Sequence, residues 1–250
     1  MNVDEYQRMY ELEGSYWWFQ GRLDIIKSVL SAYLPKPPRP GHVLDVGCGT
    51  GLMLEEFRRW RPLGLDYSPH ALAYSHERGI KRLCRGDVTR LPLATGSMDL
   101  IFAFDVMEHI DRHDLMIREF RRVLAPGGCL MATVPAHPSL WSDHDVALHH
   151  YRRYTRASLR KLLRHGGFQP VKFSYAVSAT YPGVVAFRKL QNLRKSLNGG
   201  AKREAKAHLV MLPKPVNAAL KGVLSVEAAL LRHMDLPFGL SLVTLARKVD

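Results

Sequence analysis

Cysteine is scarce in this chain. Cys48, Cys84 and Cys129 are all there is in 250 residues. They are odd in number, lie far apart and form no CxxC pair, which excludes a disulfide framework and a structural zinc site and points to a reducing cytoplasm. Long apolar runs are missing too: none approaches the ~20 residues a membrane-spanning helix needs. The opening MNVDEYQRMYELEG is polar and carries acids, unlike a secretory signal. Acids are in deficit, 23 against 36 Lys and Arg, for a net charge of +13. A basic protein is drawn to nucleic acid, anionic membrane or acidic metabolites, and charge alone does not choose among them. What remains is ordinary for a globular protein, with 46% apolar and 24% charged residues.

From His42 onward, strand and helix patterns alternate. Strands are expected at His42–Val46, Leu63–Asp66, near Leu83, at Met98–Phe104, Cys129–Val134, Val171–Ser178 and Leu240–Arg247. Helices are expected at Leu52–Trp60, at Pro69–Arg78 with proline in the first turn, at Arg112–Leu124, and at Arg156–His165 capped by Thr155. The segment Ala125–Gly128, APGG, reads as a breaker before strand five. This rhythm implies a doubly wound α/β fold, a mostly parallel seven-stranded sheet with helices on both faces. Four parts follow: an N-terminal helical cap (1–40) ending in PKPPRP, an α/β core (41–180), a helical insertion (181–236) and a closing strand (237–250). The insertion holds ten Lys/Arg against Glu204, Glu227 and Asp235. Its charges are interleaved with Leu209–Leu212 and with Val223, Leu224, Val226, Leu230 and Leu231, a pattern of basic amphipathic helices suited to an anionic membrane surface.

The stretch VLDVGCGTG (Val43–Gly51) is a glycine turn after a strand. Its spacing is Gly47-x-Gly49-x-Gly51, and Leu52 stands where a dinucleotide fingerprint has its third glycine. Asp45 would repel a pyrophosphate at this turn but attract a cationic amino acid. A nucleoside joined to an amino acid and lacking phosphates fits both facts, and S-adenosylmethionine is that molecule. Asp66 and Asp87 follow at equal intervals of 21 residues. At strand ends they line the edge where open α/β sheets bind ligands, Asp66 placed for ribose hydroxyls and Asp87, with Val88, for adenine.

VLDVGCGTG, LGLDYS, GDVTRLPL, FDVMEHI and LAPGGCLMATVP, in that order, resemble the successive motifs of class I S-adenosylmethionine-dependent methyltransferases. The likeness is greatest to the branch that methylates small molecules such as ubiquinone and menaquinone precursors, and covers roughly 41–180 and the last strand. It implies a Rossmann-like fold, S-adenosylmethionine as cofactor and S-adenosylhomocysteine as product. By resemblance, Asp45, Gly47, Cys48 and Gly49 surround the methionine end, Asp66 and Tyr67 the ribose, and Asp87 and Val88 the adenine. Phe104 and Asp105 flank the sulfonium, with His109 on the cofactor side. YWWFQGR (Tyr16–Arg22) is similar to a family pattern in which a helix closes over the cofactor and Arg22 pairs with the methionine carboxylate.

The segment His137–Thr155 is the expected substrate-facing element, with four histidines after strand five. His150 or His149 is the candidate general base, since an imidazole near pKa ~6.5 can take a proton from a hydroxyl or amine. Asp145 and His149 are spaced i, i+4 but His144 and His149 are not, so no metal is expected. Arg152 and Arg153 are candidates for an anionic substrate group. The expected function is methyl transfer to a small-molecule or lipid-linked acceptor, reached from the cytoplasmic face with peripheral membrane contact. Two rivals share these features: an RNA methyltransferase, favoured by charge but lacking (D/N)PPY after strand four, and a non-catalytic cofactor-binding subunit. A dehydrogenase is disfavoured by Asp45 and the absent glycine.

Overall fold

The computed structural model describes residues 3–188 and 212–249. Two helices, α1 (Val3–Leu12) and α2 (Trp17–Tyr33), lead into β1 (Val43–Val46), α3 (Leu52–Glu56), β2 (Leu63–Asp66), α4 (Pro69–Glu77), β3 (Leu83–Arg85) and β4 (Met98–Phe104). α5 (His113–Val123), β5 (Leu124–Pro135), α6 (Asp143–Ala147), α7 (Arg156–His165) and β6 (Phe168–Ala176) follow. A helical stretch over 181–188 (α8) leaves β6, and α9 (Lys214–Leu230) returns the chain to β7 (Ser241–Lys248).

The seven strands form one sheet in the order β3-β2-β1-β4-β5-β7-β6. The first five pair in parallel, and β7 runs antiparallel between β5 and β6. The parity of each strand residue decides which face it serves. Leu44 and Val46, Ile101 and Ala103, and Leu130 and Ala132 pack with Met116, Ile117 and Phe120 of α5 and with Leu159 and Leu163 of α7. Val43, Leu100, Phe102 and Met131 face the other way, onto Leu23, Ile26 and Val29 of α2 and Leu224 and Ala228 of α9. Burial on both faces is why β1 and β4 read as nearly unbroken apolar runs.

Three elements depart from the expected boundaries. The helix foreseen over Leu52–Trp60 stops at Glu56 and tightens into a 3-10 turn, Arg58–Trp60. Trp60 there stacks on Phe57, 5.1 Å between ring centres, and Arg61 takes a left-handed conformation that ends it. APGG does not precede strand five but lies inside it: pairing with β4 begins at Leu124, skips, and resumes at Cys129. Gly127, at φ +71°, supports this bulge. β6 starts at Phe168 rather than Val171, because the left-handed Gly167 turns the chain straight from α7 into the ladder.

Cap and insertion come together on one side of the sheet. α9 lies along α2, joined by hydrogen bonds across some two hundred residues of sequence. Asn217 accepts the Trp17 N–H at 2.9 Å and donates to the Ser15 carbonyl at 2.9 Å. Ser225 donates to Asp24 at 2.7 Å, and Tyr33 to the Arg232 carbonyl at 2.9 Å. Of the insertion's basic residues, Lys189, Arg194, Lys195, Lys202, Arg203 and Lys206 lie outside the described residues.

The two helices approach tightly at Gly21, where an added Cβ would stand 2.4 Å from Leu224. Gly21→Ala therefore loses more to overpacking than it gains in helix propensity, a net destabilisation of about 1–2 kcal/mol. Gly222 of α9 has nothing within 4 Å of the same position, so Gly222→Ala stabilises by about 0.5–1 kcal/mol. Urea midpoints of the two variants should move in opposite directions.

Candidate active site

Strand order reverses between β1 and β4, since the chain passes to β2 on one side and returns from β3 to the other. Such a switch point opens a crevice at the carboxyl ends of the strands. The glycine turn after β1 forms its floor. Gly47 (φ +62°) and Gly49 (φ +56°) adopt left-handed backbone, and a Cβ on Gly47 would meet the Val106 side chain at 2.5 Å. Asp66 at the end of β2 accepts the Gly49 N–H at 3.0 Å and the Ser68 N–H at 2.8 Å, tying the turn to its neighbouring strand.

Asp45 is buried beneath this turn, and one of its carboxylate oxygens, Oδ2, has no hydrogen-bond partner. Burial, reinforced by the Asp66 charge and opposed by Arg22, pushes its carboxyl from the ordinary 3.8 to about 8. Cys48 is also buried, and burial with the two nearby carboxylates drives its thiol well above the usual range. It fills space in the turn and carries no thiolate.

The N-terminal helices close over the crevice. The Met9 methyl group lies 3.2 Å from where a Gly49 Cβ would be. Glu13, at the end of α1, accepts hydrogen bonds from the Thr50 hydroxyl and from Arg78. Arg78 donates to the Thr50 carbonyl at 2.7 Å and lies over the Tyr10 ring, 4.7 Å from its centre. Sequence reading missed this Glu13–Thr50–Arg78 clamp; a lone acid at a helix end carries no signal of a partner 65 residues away. Arg22 of α2 lies over Trp18 at 4.6 Å and pairs with Asp105. Its Nε is buried without a partner, which leaves a donor for a second anion.

At the end of β4, Phe104 is buried and stacks on Phe102, 5.2 Å between centres. Asp105 follows with φ +54°, a strained conformation for a residue with a side chain. Thr133 holds it, accepting its N–H at 3.0 Å through the carbonyl and donating to Oδ1 at 3.1 Å through the hydroxyl. Next come Glu108 and His109. Glu108 is buried with Oε2 unpartnered, and burial with the Asp105 charge raises its carboxyl well above the usual range. The His109 ring meets that of His150 edge to face, 4.6 Å between centres. Burial, with His150 close by, pushes the His109 imidazole down to about 4, so it is neutral.

His150 Nδ1 lies 3.0 Å from Asp145 Oδ1. Asp145 is fully buried and also accepts from Arg153 Nε at 2.7 Å and from the Ser142 N–H at 2.9 Å. His150 and Arg153 outweigh burial and hold its carboxyl below the ordinary range. Its spacing of five residues from His150 was visible in the sequence, but the closing turn was not. His149, the other candidate base, is exposed and has φ +56° in the turn after α6. Arg153 is thus engaged internally, and Arg152 donates to the Asp111 carbonyl at 2.9 Å. The remaining candidates sit on the rim. Tyr67 is exposed beside Arg85, and the Asp87 carboxylate accepts from the Thr89 N–H (2.8 Å) and hydroxyl (2.7 Å) while Val88 points inward, buried.

A buried carboxyl with one oxygen unpartnered, under a turn opened by Gly47 and Gly49, suits a cationic amino acid, and the second acid, Asp66, suits vicinal hydroxyls. The residues fit S-adenosylmethionine and disfavour a pyrophosphate. A family model described as "Methyltransferase domain" matches residues 44–132. A malonyl-[acyl-carrier protein] O-methyltransferase of Methylococcus capsulatus is 33% identical over 181 residues, covering 66% of each chain. This chain belongs to the class I S-adenosylmethionine-dependent methyltransferases. A probable S-adenosylmethionine-dependent methyltransferase of Mycolicibacterium smegmatis is 32% identical over 133 residues, 51% of each. The chain thus spans about half to two thirds of the length of these relatives. Among solved structures, a possible histamine N-methyltransferase of Thermotoga maritima superposes with a TM-score of 0.59 at 16% identity, over 99% of this chain and 96% of that one. At that identity it speaks for the fold alone, which is the seven-stranded Rossmann-like methyltransferase sheet.

Asp45 should make cofactor binding pH-dependent. Between the unfolded value near 3.8 and the folded value of about 8, the folded protein holds a proton that the unfolded chain has released. Stability contributed at this position therefore falls as pH rises through that window. Pairing with an ammonium needs the ionised form, so the Kd for S-adenosylmethionine should fall by up to about tenfold per unit from pH 6 towards 8, with proton release. Calorimetry in buffers of different ionisation enthalpy measures both. Asp45→Asn should bind more weakly and flatten the profile; a flat profile in the parent protein would remove Asp45 from the amino-group contact.

Proposed function

We propose that this chain transfers a methyl group from S-adenosylmethionine to a small-molecule or lipid-linked acceptor, releasing S-adenosylhomocysteine. The bound cofactor supplies an activated methyl on a sulfonium. This chain's residues hold it and bring the acceptor into line: Asp45, Gly47 and Gly49 at the amino-acid end, Asp66 at the ribose, and Val88 and Asp87 at the adenine. Phe104 and Asp105 flank the sulfonium, and Arg22, with its Nε unpartnered, meets the methionine carboxylate. Displacement at a methyl group needs little covalent help, so collinear positioning and exclusion of water supply most of the acceleration. The capping helices provide the latter.

One observation carries the acceptor side of this reading: the buried Asp145 holds His150 by Nδ1 at 3.0 Å, in a cluster with His109 and Glu108. A base oriented by a second group is the arrangement that removes a proton from an acceptor hydroxyl or amine. His149 lacks such an orienting contact and is the weaker candidate. O-methyltransferases that act on malonyl-[acyl-carrier protein] stand among the relatives, which favours an oxygen nucleophile on a small acidic group.

A lipid-linked acceptor is supported by α9. Val216, Val223, Val226 and Leu230 are exposed along it at helical spacing, beside Lys214 and Lys221. An apolar stripe flanked by lysines suits the surface of an anionic membrane. Among the described residues no helix is long and apolar enough to cross a membrane.

Methyl-labelled S-adenosylmethionine, incubated with the protein and a native extract, should deliver label to organic-soluble lipid or small polar metabolites. Label in RNA would overturn the acceptor class. Tight cofactor binding with no labelled product in any fraction would favour a non-catalytic subunit. Once the acceptor is known, His150→Ala should lower kcat by about 10²–10⁴-fold with little change in cofactor affinity.

A further inference from the structure

We propose that Glu108, His109 and His150 bind one divalent transition-metal ion that holds and acidifies an oxygen of the acceptor. The ligand atoms of these three side chains lie within 4.8 Å of one another. Ligands at about 2.1 Å from a four-coordinate ion stand roughly 3.4 Å apart, so the cluster closes with an ångström or so of side-chain movement.

Each ligand is prepared in a different way. Glu108 Oε2 is buried and has no hydrogen-bond partner, a state that leaves a polar atom costly unless something binds it. The Nδ1 of His150 is engaged by Asp145, which leaves Nε2 as its free donor. Asp145 is fixed in turn by Arg153 and Ser142. A carboxylate behind an imidazole is the usual outer support of a metal-bound histidine. His109, edge to face with His150 at 4.6 Å, presents a second imidazole to the same space.

Local charge leaves room for a cation. Asp105 is paired with Arg22 and Asp145 with Arg153, while Arg188 lies 4.0 Å from the other Asp145 oxygen, Oδ2. Among the described residues Glu108 has no ion pair of its own, and Arg22 and Arg153 act on it only at longer range. Two imidazoles and one carboxylate suit zinc, iron(II), cobalt(II) or manganese(II) better than magnesium or calcium, which prefer all-oxygen sites. Three protein ligands also leave positions open for an acceptor oxygen. The proposal rests on the methyltransferase reading and refines the role of His150: as a ligand it would help the ion lower the pKa of the acceptor hydroxyl, whose proton passes to solvent water before the oxygen takes the methyl group and S-adenosylhomocysteine leaves.

The test uses the full chain after treatment with a chelator, titrated with cobalt(II) and followed by visible absorption. One ion should bind per chain with ligand-field bands, and zinc(II) should displace it. Glu108→Gln and His150→Ala should each weaken cobalt binding at least tenfold, while His165→Ala, on the exposed end of α7, leaves it unchanged. Binding of S-adenosylhomocysteine to every variant, measured by calorimetry, reports whether the cofactor pocket is intact. His109→Gln serves if Glu108→Gln does not fold. Saturable cofactor binding with no cobalt binding up to about 1 mM, the weak end of ordinary specific affinities, would overturn the metal site and leave His150 as a direct base. Cobalt binding that survives both ligand substitutions would overturn it equally. Loss of cofactor binding in the parent protein would instead sink the methyltransferase reading.

Discussion

A buried carboxyl with one oxygen unpartnered, lying beneath a turn in which every second residue is glycine, is the constraint on which this molecule is organised. Asp45 can lie there only because β1 ends at the fork of the sheet, with β2 on one side and β4 on the other. The fork exists because the chain winds first one way and then the other. The turn stays open because Gly47 and Gly49 put no Cβ into it. Burying an ionisable group without a partner is unfavourable, and such groups persist where a ligand completes them. Asp66 adds a second acid whose own bonds hold the turn in shape.

The opposite side of the crevice obeys a different logic. Strain at Asp105, a buried Glu108, a neutral His109 and an anchored His150 are concentrated within one loop of β4 and the segment after β5. Two of the four are held by hydrogen bonds: Asp105 by Thr133 of β5, and His150 by Asp145 with its arginine. One half of the crevice is built mainly from strand ends and backbone, whereas the other is built from side chains borne by connecting segments. In folds of this kind one sheet can serve many chemistries, since the connections vary without disturbing the sheet.

Much of the fold was legible because a buried parallel sheet writes itself as short apolar runs separated by helical periods. β2 and β4 fell at their expected limits, and Thr155 accepts the Ser158 N–H as a helix cap should. Local patterns failed where a long-range contact decided the outcome. Trp60, in a 3-10 turn, packs against Phe102 of β4 as well as Phe57, and the APGG bulge was absorbed into β5 by pairing with β4. In the site, Asp45, Gly47, Gly49 and Asp66 could be read from spacing along consecutive elements. The partners of Arg22 and Glu13 could not, because each pairing joins segments of unrelated position. The meeting of Glu108 and His109 with His150 was hidden for the same reason. The alignment of α9 on α2 likewise turns two segments that look separate in sequence into one layer over the sheet.

The clamp at the end of α1 has a kinetic meaning. Met9 rests on the glycine turn, and Glu13 fastens the helix to Thr50 and Arg78 on either side of it. A molecule that entered past α1 would have to part those groups. Bonds broken only during passage raise the barrier equally for entry and for exit. A fastening of that kind would set how long a guest dwells, and how soon a spent one makes way, while leaving untouched the strength with which it is held.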